Sequence, residues 1–214
     1  MSEILQDHIE SFLDDFSPET SDLSWELRAY AKDNHVPIID EEVKQFLSFY
    51  LNTLKPRKIL ELGTAIGYSS IWMSQIKGVQ ELHTVEIRPE MFALAKENIE
   101  RANCKNVRQF QGDAADYLDK SQEMYDFIFI DAAKGQYPFY FKKALQRLEK
   151  NGVIGFDNIL FRGMISNQDL VKRRKITIVK RLRKLLSELK LDQAYEKTLI
   201  PLGDGFLLVR RNDV

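Results

Sequence analysis

Four polar residues at the ends of two apolar runs carry the chemistry this sequence offers. The run 125–130 ends in Asp131, with Lys134 three positions on, and the run 153–156 ends in Asp157-Asn158. The first run is rich in aromatic and β-branched residues and reads as a central buried strand. Both end at what would be the carboxyl edge of an open α/β sheet, where such sheets bind ligands. Two carboxylates and an amide on adjacent strand ends form an all-oxygen donor set that suits a hard cation such as Mg²⁺. Taken alone, Asp157-Asn158 reads as a ligand pair or as a turn. A bound cation lowers the pKa of a coordinated hydroxyl, and Lys134 is the candidate base that takes up the proton. Without the metal beside it, Lys134 is an ordinary surface lysine.

A second group of residues stands earlier in the chain. Residues 58–70 form an apolar run that ends in Glu61-Leu62-Gly63, a second glycine at Gly67, and Ser69-Ser70 at the start of a helical pattern. Gly63 and Gly67 permit a sharp turn and close approach to a ligand, while Ser69, Ser70 and the helix start offer donors. The spacing is G-x-x-x-G and not the dinucleotide G-x-G-x-x-G, which favours a smaller nucleoside ligand. About twenty positions on, Glu86 ends the next alternating run, placed to accept from ribose hydroxyls or to cap the helix near Pro89. After a third run, Gly112-Asp113-Ala114 turns into a helix, with Asp113 facing an adenine or capping. Together these features suit methyl transfer from S-adenosylmethionine to an oxygen, in which the protein aligns two partners and stabilises the nucleophile as an anion.

The elements that must position these residues follow from periodicity. Helical spacing covers 3–16, closed by Ser17-Pro18-Glu19, then 23–33; Asp40 can cap a helix over 41–54 after the extended connector 34–40. Strands and helices then alternate: strand 58–62, helix 69–76, strand 81–87, helix 90–103, strand 107–111, a helix from 114, strand 125–130 and helix 137–148. A turn at Asn151-Gly152 leads into strand 153–156. A loop over 159–171 leads into a basic amphipathic helix near 175–189, whose Lys180, Arg181, Arg183 and Lys184 read as a solvated face. Segments 197–201 and 205–211 form a hairpin around Leu202-Gly203-Asp204, unlike a nicotinamide dehydrogenase. The whole is expected to be one domain over 1–214, with 1–55 as a helical extension packing on it.

Composition bounds the partners. The net charge is −1 and 29% of residues are charged, but residues 1–55 hold twelve acidic and four basic side chains, whereas 172–190 hold nine basic and one acidic. One cysteine, Cys104, forms no intramolecular disulfide, and no leader pattern or run long enough to span a bilayer is present, so a cytoplasmic protein without a membrane role is expected. His8, His35 and His83 lack ligand spacing; only His35, near Pro37, is placed to reach the site. Trp25 and Trp72 read as core or interface anchors.

The chain resembles the cation-dependent O-methyltransferase family that contains catechol and caffeoyl-CoA O-methyltransferases. The matching motifs are E-L-G-T-A-I-G-Y-S-S at 61–70, V-E-I at 85–87, F-I-D-A-A-K at 129–134 and G-F-D-N at 155–158. The resemblance implies a Rossmann-like class I methyltransferase fold, a seven-stranded, mostly parallel sheet with a C-terminal antiparallel hairpin. It implies S-adenosylmethionine held by Ile38, Glu61, Gly63, Ser69, Glu86, Gly112, Asp113, Ala114 and Asp131. It further implies Mg²⁺ or another divalent cation on Asp131, Asp157 and Asn158, Lys134 as base with Asp131 beside it, and a homodimer. The segment N-H-V-P-I-I is most similar to bacterial tRNA 5-hydroxyuridine methyltransferases, which implies tRNA as partner. Arg162, Lys172, Arg173, Arg174 and Lys175 are then candidates for phosphate contacts. The alternatives are an O-methyltransferase of small catechol-like molecules, which keeps every site residue, and a non-catalytic RNA-binding protein.

Overall fold

In the computed structural model, which describes residues 7–16 and 21–212, the apolar runs become the strands of one sheet. These are β1 (Lys58–Leu62), β2 (Glu81–Glu86), β3 (Val107–Gln111), β4 (Tyr125–Ile130), β5 (Leu148–Phe156), β6 (Tyr195–Ile200) and β7 (Phe206–Arg211). They pair in the order β3-β2-β1-β4-β5-β7-β6. The first five are parallel, and β7 runs antiparallel to both β5 and β6. The expected seven-stranded sheet with a reversed final hairpin is what forms.

Alternation along the central strands supplies two cores. Leu60 and Leu62 of β1 and Ile128 and Ile130 of β4 enter one layer with α6 (Ala114–Lys120), α7 (Tyr137–Leu145) and α8 (Ile176–Leu191). Ile59, Phe127 and Phe129 point the other way, into a layer with α2 (Asp22–Asp33), α3 (Glu41–Leu54), α4 (Tyr68–Ser74) and α5 (Pro89–Arg101). Each of these strand residues is almost wholly buried, contributing about 1.5–3 kcal/mol apiece relative to exposure. The helices before the sheet are α1 (Asp7–Phe16), α2 and α3. Residues 3–6 and Ser17-Pro18-Glu19 of the expected first helix and its stop lie outside the described residues.

Several boundaries differ from the sequence reading. The helix expected over 137–148 ends at Leu145, and Asn151-Gly152 lies inside β5 rather than before it. The strand is irregular there: its register against β4 shifts between Tyr125 and Phe127. A Cβ on Gly152 would stand 2.8 Å from Leu148 and 3.0 Å from the Tyr125 carbonyl, so the strand passes itself too closely for a side chain. Asp40 occupies the N-cap position of α3 without a capping hydrogen bond from its side chain. Ser21, by contrast, caps α2 by accepting from the Ser24 amide at 3.2 Å. Trp72 is core, whereas Trp25 is exposed on α2. Among the described residues, no helix is long and apolar enough to cross a membrane.

Candidate active site

Parallel pairing brings the predicted residues to one edge through backbone hydrogen bonds just beyond the strands. The amide of Gly63 donates to Val85 (3.0 Å), Gly112 to Glu86 (2.9 Å), Asp131 to Leu62 (2.9 Å) and Asp157 to Ile130 (3.1 Å). A cleft of about 310 Å³ opens at this edge, within the size range of small-molecule sites. Gly63, Glu86, Gly112, Asp113, Ala114, Asp131, Lys134 and Asn158 line it. Two larger hollows, of about 500 and 530 Å³, lie at the strands' opposite ends and against α5, and neither contains a predicted site residue.

Glu86 and Asp113 resolve differently between their two readings. The buried Glu86 carboxylate accepts from the Ala65 and Arg88 amides, both at 2.9 Å, and so ties the glycine loop to the end of β2. Arg88 is the N-cap of α5 and that helix has no side-chain cap, so Glu86 is not one. It faces the cleft with acceptor capacity to spare, as a ribose-binding carboxylate must. Asp113 caps α6 by accepting from the Ala115 amide at 2.7 Å, and it also lines the cleft.

Three cofactor candidates do not line the cleft. Ile38 is half-buried in the core layer containing α2 to α5, next to Pro37, which does line the cleft. Ser70 is buried and donates to Glu61, as does Thr84 at 2.6 Å; the half-buried Ser69 lies beside Glu61. Ser70 is therefore partnered with Glu61 and is not a free donor for an anion. Glu61 is fully buried, and its Oε1 has no hydrogen-bond partner. Burial pushes its carboxyl up to about 7 against these three hydroxyls, and the Asp131 charge adds to the rise. An orphaned buried carboxylate oxygen close to a second carboxylate suits a cationic ligand group, such as the ammonium or sulfonium of S-adenosylmethionine.

That shift makes stability depend on pH. The folded chain holds the Glu61 proton better than an ordinary carboxylate does, so the contribution is fully present below about 4.5 and lost as pH rises through about 7. Relative to Glu61→Gln, which retains a carbonyl acceptor for the hydroxyls, the ligand-free wild type should lose on the order of 3 kcal/mol between these limits. Urea denaturation of both proteins at pH 4.5 and 7.5 measures this, and parallel pH profiles would contradict it.

On the acceptor side, Lys134 Nζ stands 3.4 Å from Asp131 Oδ1, both side chains being largely but not wholly buried. Lys134 begins a 3₁₀ turn (Lys134–Gln136), and its ammonium also lies 6.0 Å from the Tyr137 ring centroid. The buried Tyr137 hydroxyl donates to the Asp157 carbonyl at 2.9 Å and so fixes the end of β5. Burial, and then the Asp131 carboxylate, push the Asp157 carboxyl well above the usual range, with Lys134 pulling the other way. A buried acid repelled by a neighbouring acid is stabilised as an anion when a divalent cation joins the pair, and an oxygen-only set fits such an ion. Among the described residues no three His, Cys, Asp or Glu side chains form a metal-holding group; this candidate set has two carboxylates, and its third member is Asn158.

Sequence reading missed several residues at the edge. Tyr140 lines the cleft, its hydroxyl pushed up to about 12 by burial and then by Asp113. Pro37, Ala65 and Arg88 line it too. Pro37 stands near His35 in the extended connector and Ala65 within the glycine loop, so both had a signal in the sequence. His35 is not among the lining residues, and His83 is buried at the other end of β2 against Tyr117 and Tyr125, where burial lowers its pKa.

The basic helix divides its charges. Arg183, expected on a solvated face, donates to the carbonyls of Ile165 (3.0 Å) and Met164 (2.9 Å) and to Gln168 (2.5 Å). Arg181 reaches the Gly135 carbonyl at 3.0 Å, one residue beyond Lys134. Lys172, Arg173 and Arg174 stay exposed and have no ion-pair partner among the described residues, while Lys175 stacks 5.6 Å over Phe161. Arg162 is exposed in the loop after Asn158.

A parallel sheet with a reversed last pair, a glycine loop after its first strand and acids on the second, fourth and fifth strand ends defines the S-adenosylmethionine-dependent methyltransferases of Rossmann-like fold. Within that class the chain belongs to the O-methyltransferase family, whose model matches residues 15–212. The caffeoyl-CoA O-methyltransferase of Stellaria longipes is 30% identical over 180 residues, covering 78% of this chain and 73% of its own length. A Staphylococcus aureus structure described as a candidate caffeoyl-CoA O-methyltransferase matches with a TM-score of 0.88 at 28% identity, covering 96% of this chain and 100% of that one. An O-methyltransferase from Bacillus cereus, solved in complex with SAH, gives a TM-score of 0.82 at 26% identity, covering 96% and 97% of the two chains.

Proposed function

We propose that this O-methyltransferase uses a divalent cation, Mg²⁺ foremost, to move a methyl group from S-adenosylmethionine to the 5-hydroxyl of 5-hydroxyuridine at the tRNA wobble position, giving 5-methoxyuridine. When bound, the cofactor supplies a methyl on a sulfonium, and the cation favours the ionised form of a coordinated hydroxyl. Glu86, Asp113 and the Gly63 loop hold and orient the donor, with Glu61 balancing its positive charge. Asp131, Asp157 and Asn158 hold the cation. Lys134, as the free amine, takes up the acceptor hydroxyl proton. The S–CH₃ bond breaks as the O–CH₃ bond forms, leaving S-adenosylhomocysteine.

The observation that carries the tRNA reading is the exposed group Lys172, Arg173 and Arg174, which has no ion-pair partner among the described residues and is followed by Lys175 over Phe161, three residues beyond Asn158. Phosphates flanking an anticodon base are the natural partners of such a group. A second reading, a small phenolic acceptor, is favoured by the caffeoyl-CoA activity named for the 30% identical relative. The double charge reversal Arg173→Glu with Arg174→Glu separates them. Methylation of tRNA from a strain lacking the gene should fall about tenfold or more, since phosphate contacts carry much of RNA affinity, while any catechol methylation stays within about twofold. Transfer to catechols but not to tRNA would refute the tRNA reading, and equal rates on tRNA before and after reversal would remove the basic group from it.

A further inference from the structure

The loop that follows Asp157-Asn158 has an unusual backbone. Asn158, Phe161 and Arg162 all take positive φ, at 50°, 51° and 57°, and none is glycine. Each such conformation is strained for a residue with a side chain and persists only where its surroundings over-determine it. The surroundings here come from the turn between β6 and β7. The Ile159 amide donates to the Gly205 carbonyl and the Leu160 amide to the Asp204 carbonyl, both at 2.9 Å. The Arg162 amide then donates to both carboxylate oxygens of Asp204, each at 2.7 Å. A bond from a backbone amide to a carboxylate is charge-assisted and roughly twice as strong as a neutral one.

We propose that Asp204 is a positioning residue for the acceptor half of the site: its carboxylate latches the left-handed loop and so fixes the backbone from which Asn158 serves as a cation ligand. The turn Leu202-Gly203-Asp204 is thus more than a hairpin connection. Arg183 grips the far end of the same loop at Met164 and Ile165, so the loop is held from two sides by elements that are distant in sequence. This inference rests on the cation site of the proposed function. Outer residues that orient metal ligands typically change metal affinity about 10–100-fold when removed.

The test uses the full chain and two titrations: free Mn²⁺ followed by its paramagnetic resonance signal, and S-adenosylhomocysteine by calorimetry. Asp204→Ala should weaken Mn²⁺ binding about tenfold or more while leaving S-adenosylhomocysteine affinity within about twofold. Asp204→Asn keeps a carbonyl oxygen for the Arg162 amide and should recover Mn²⁺ affinity to within about threefold of wild type. If Asp204→Ala does not fold, Asp204→Glu, which keeps the charge but displaces both oxygens by a methylene, should show the same selective weakening. Unchanged Mn²⁺ affinity in Asp204→Ala or Asp204→Glu, or equal loss of both ligands, overturns the positioning role. A wild-type chain that binds no Mn²⁺ overturns the cation site itself, and the latch with it.

Discussion

Asp157→Asn is expected to reduce methyl transfer about a thousandfold and, at the same time, to raise the melting temperature of the metal-free protein. The two effects have one cause. Asp157 is buried and repelled by Asp131, so the ionised carboxylate destabilises the fold when no cation accompanies it. The nearly isosteric amide removes that penalty. It also removes a charge from the proposed cation site, where a bound cation that stabilises the developing acceptor anion would be worth several kcal/mol, about 10³ in rate. Scanning calorimetry in chelator and a radiolabelled methyl-transfer assay with excess Mg²⁺ measure both. A variant that melts lower without metal, or that keeps wild-type activity, would show that Asp157 is a structural acid and not a ligand. Active sites that gain stability when a functional charge is removed show the cost of function directly.

Gly63→Ala is expected to be severe in a different way. Gly63 sits at φ 101°, and a Cβ there would stand 2.0 Å from the Asp131 carbonyl oxygen. That oxygen belongs to the backbone at the end of β4, so no rotamer change relieves the clash, and the loop between β1 and α4 must move. The melting temperature should fall by about 10 °C, from a penalty of several kcal/mol in a chain of this size, and S-adenosylhomocysteine affinity should fall about a hundredfold. Gly112→Ala supplies the contrast, because a Cβ at Gly112 meets nothing within 4 Å and only the backbone at φ 154° is disfavoured. Equal melting temperatures for wild type and Gly63→Ala would mean that the close approach of loop and strand end is unnecessary.

The positions of these residues were legible to different degrees. Asp131, Glu86 and Asp157 each end an apolar run, and in a parallel sheet every such run ends at the same edge, so their convergence followed from pattern alone. The internal bulge at Gly152 did not, since it depends on how β5 passes Tyr125. Ser70 looked like a donor for a ligand because it opens a helix. It turns inward to Glu61 because β1 buries that acid directly behind the loop. Arg183 looked solvated because helical periodicity puts it beside the polar face; its targets, Met164, Ile165 and Gln168, belong to an irregular loop that has no periodicity to read.

By itself, the sequence determined the α/β class, the strand order's reversed end, the acids and lysine at the carboxyl edge, and through its motifs the family. These are set by local hydrophobic period and by residue type at element ends, which short stretches of chain encode. Only the tertiary structure decided which oxygen has which partner. Glu61 keeps one oxygen orphaned, Glu86 ties down the glycine loop, and Asp204 reaches back 42 residues to the Arg162 amide. Such pairings depend on the packing of distant segments, where differences of an ångström separate a hydrogen bond from none.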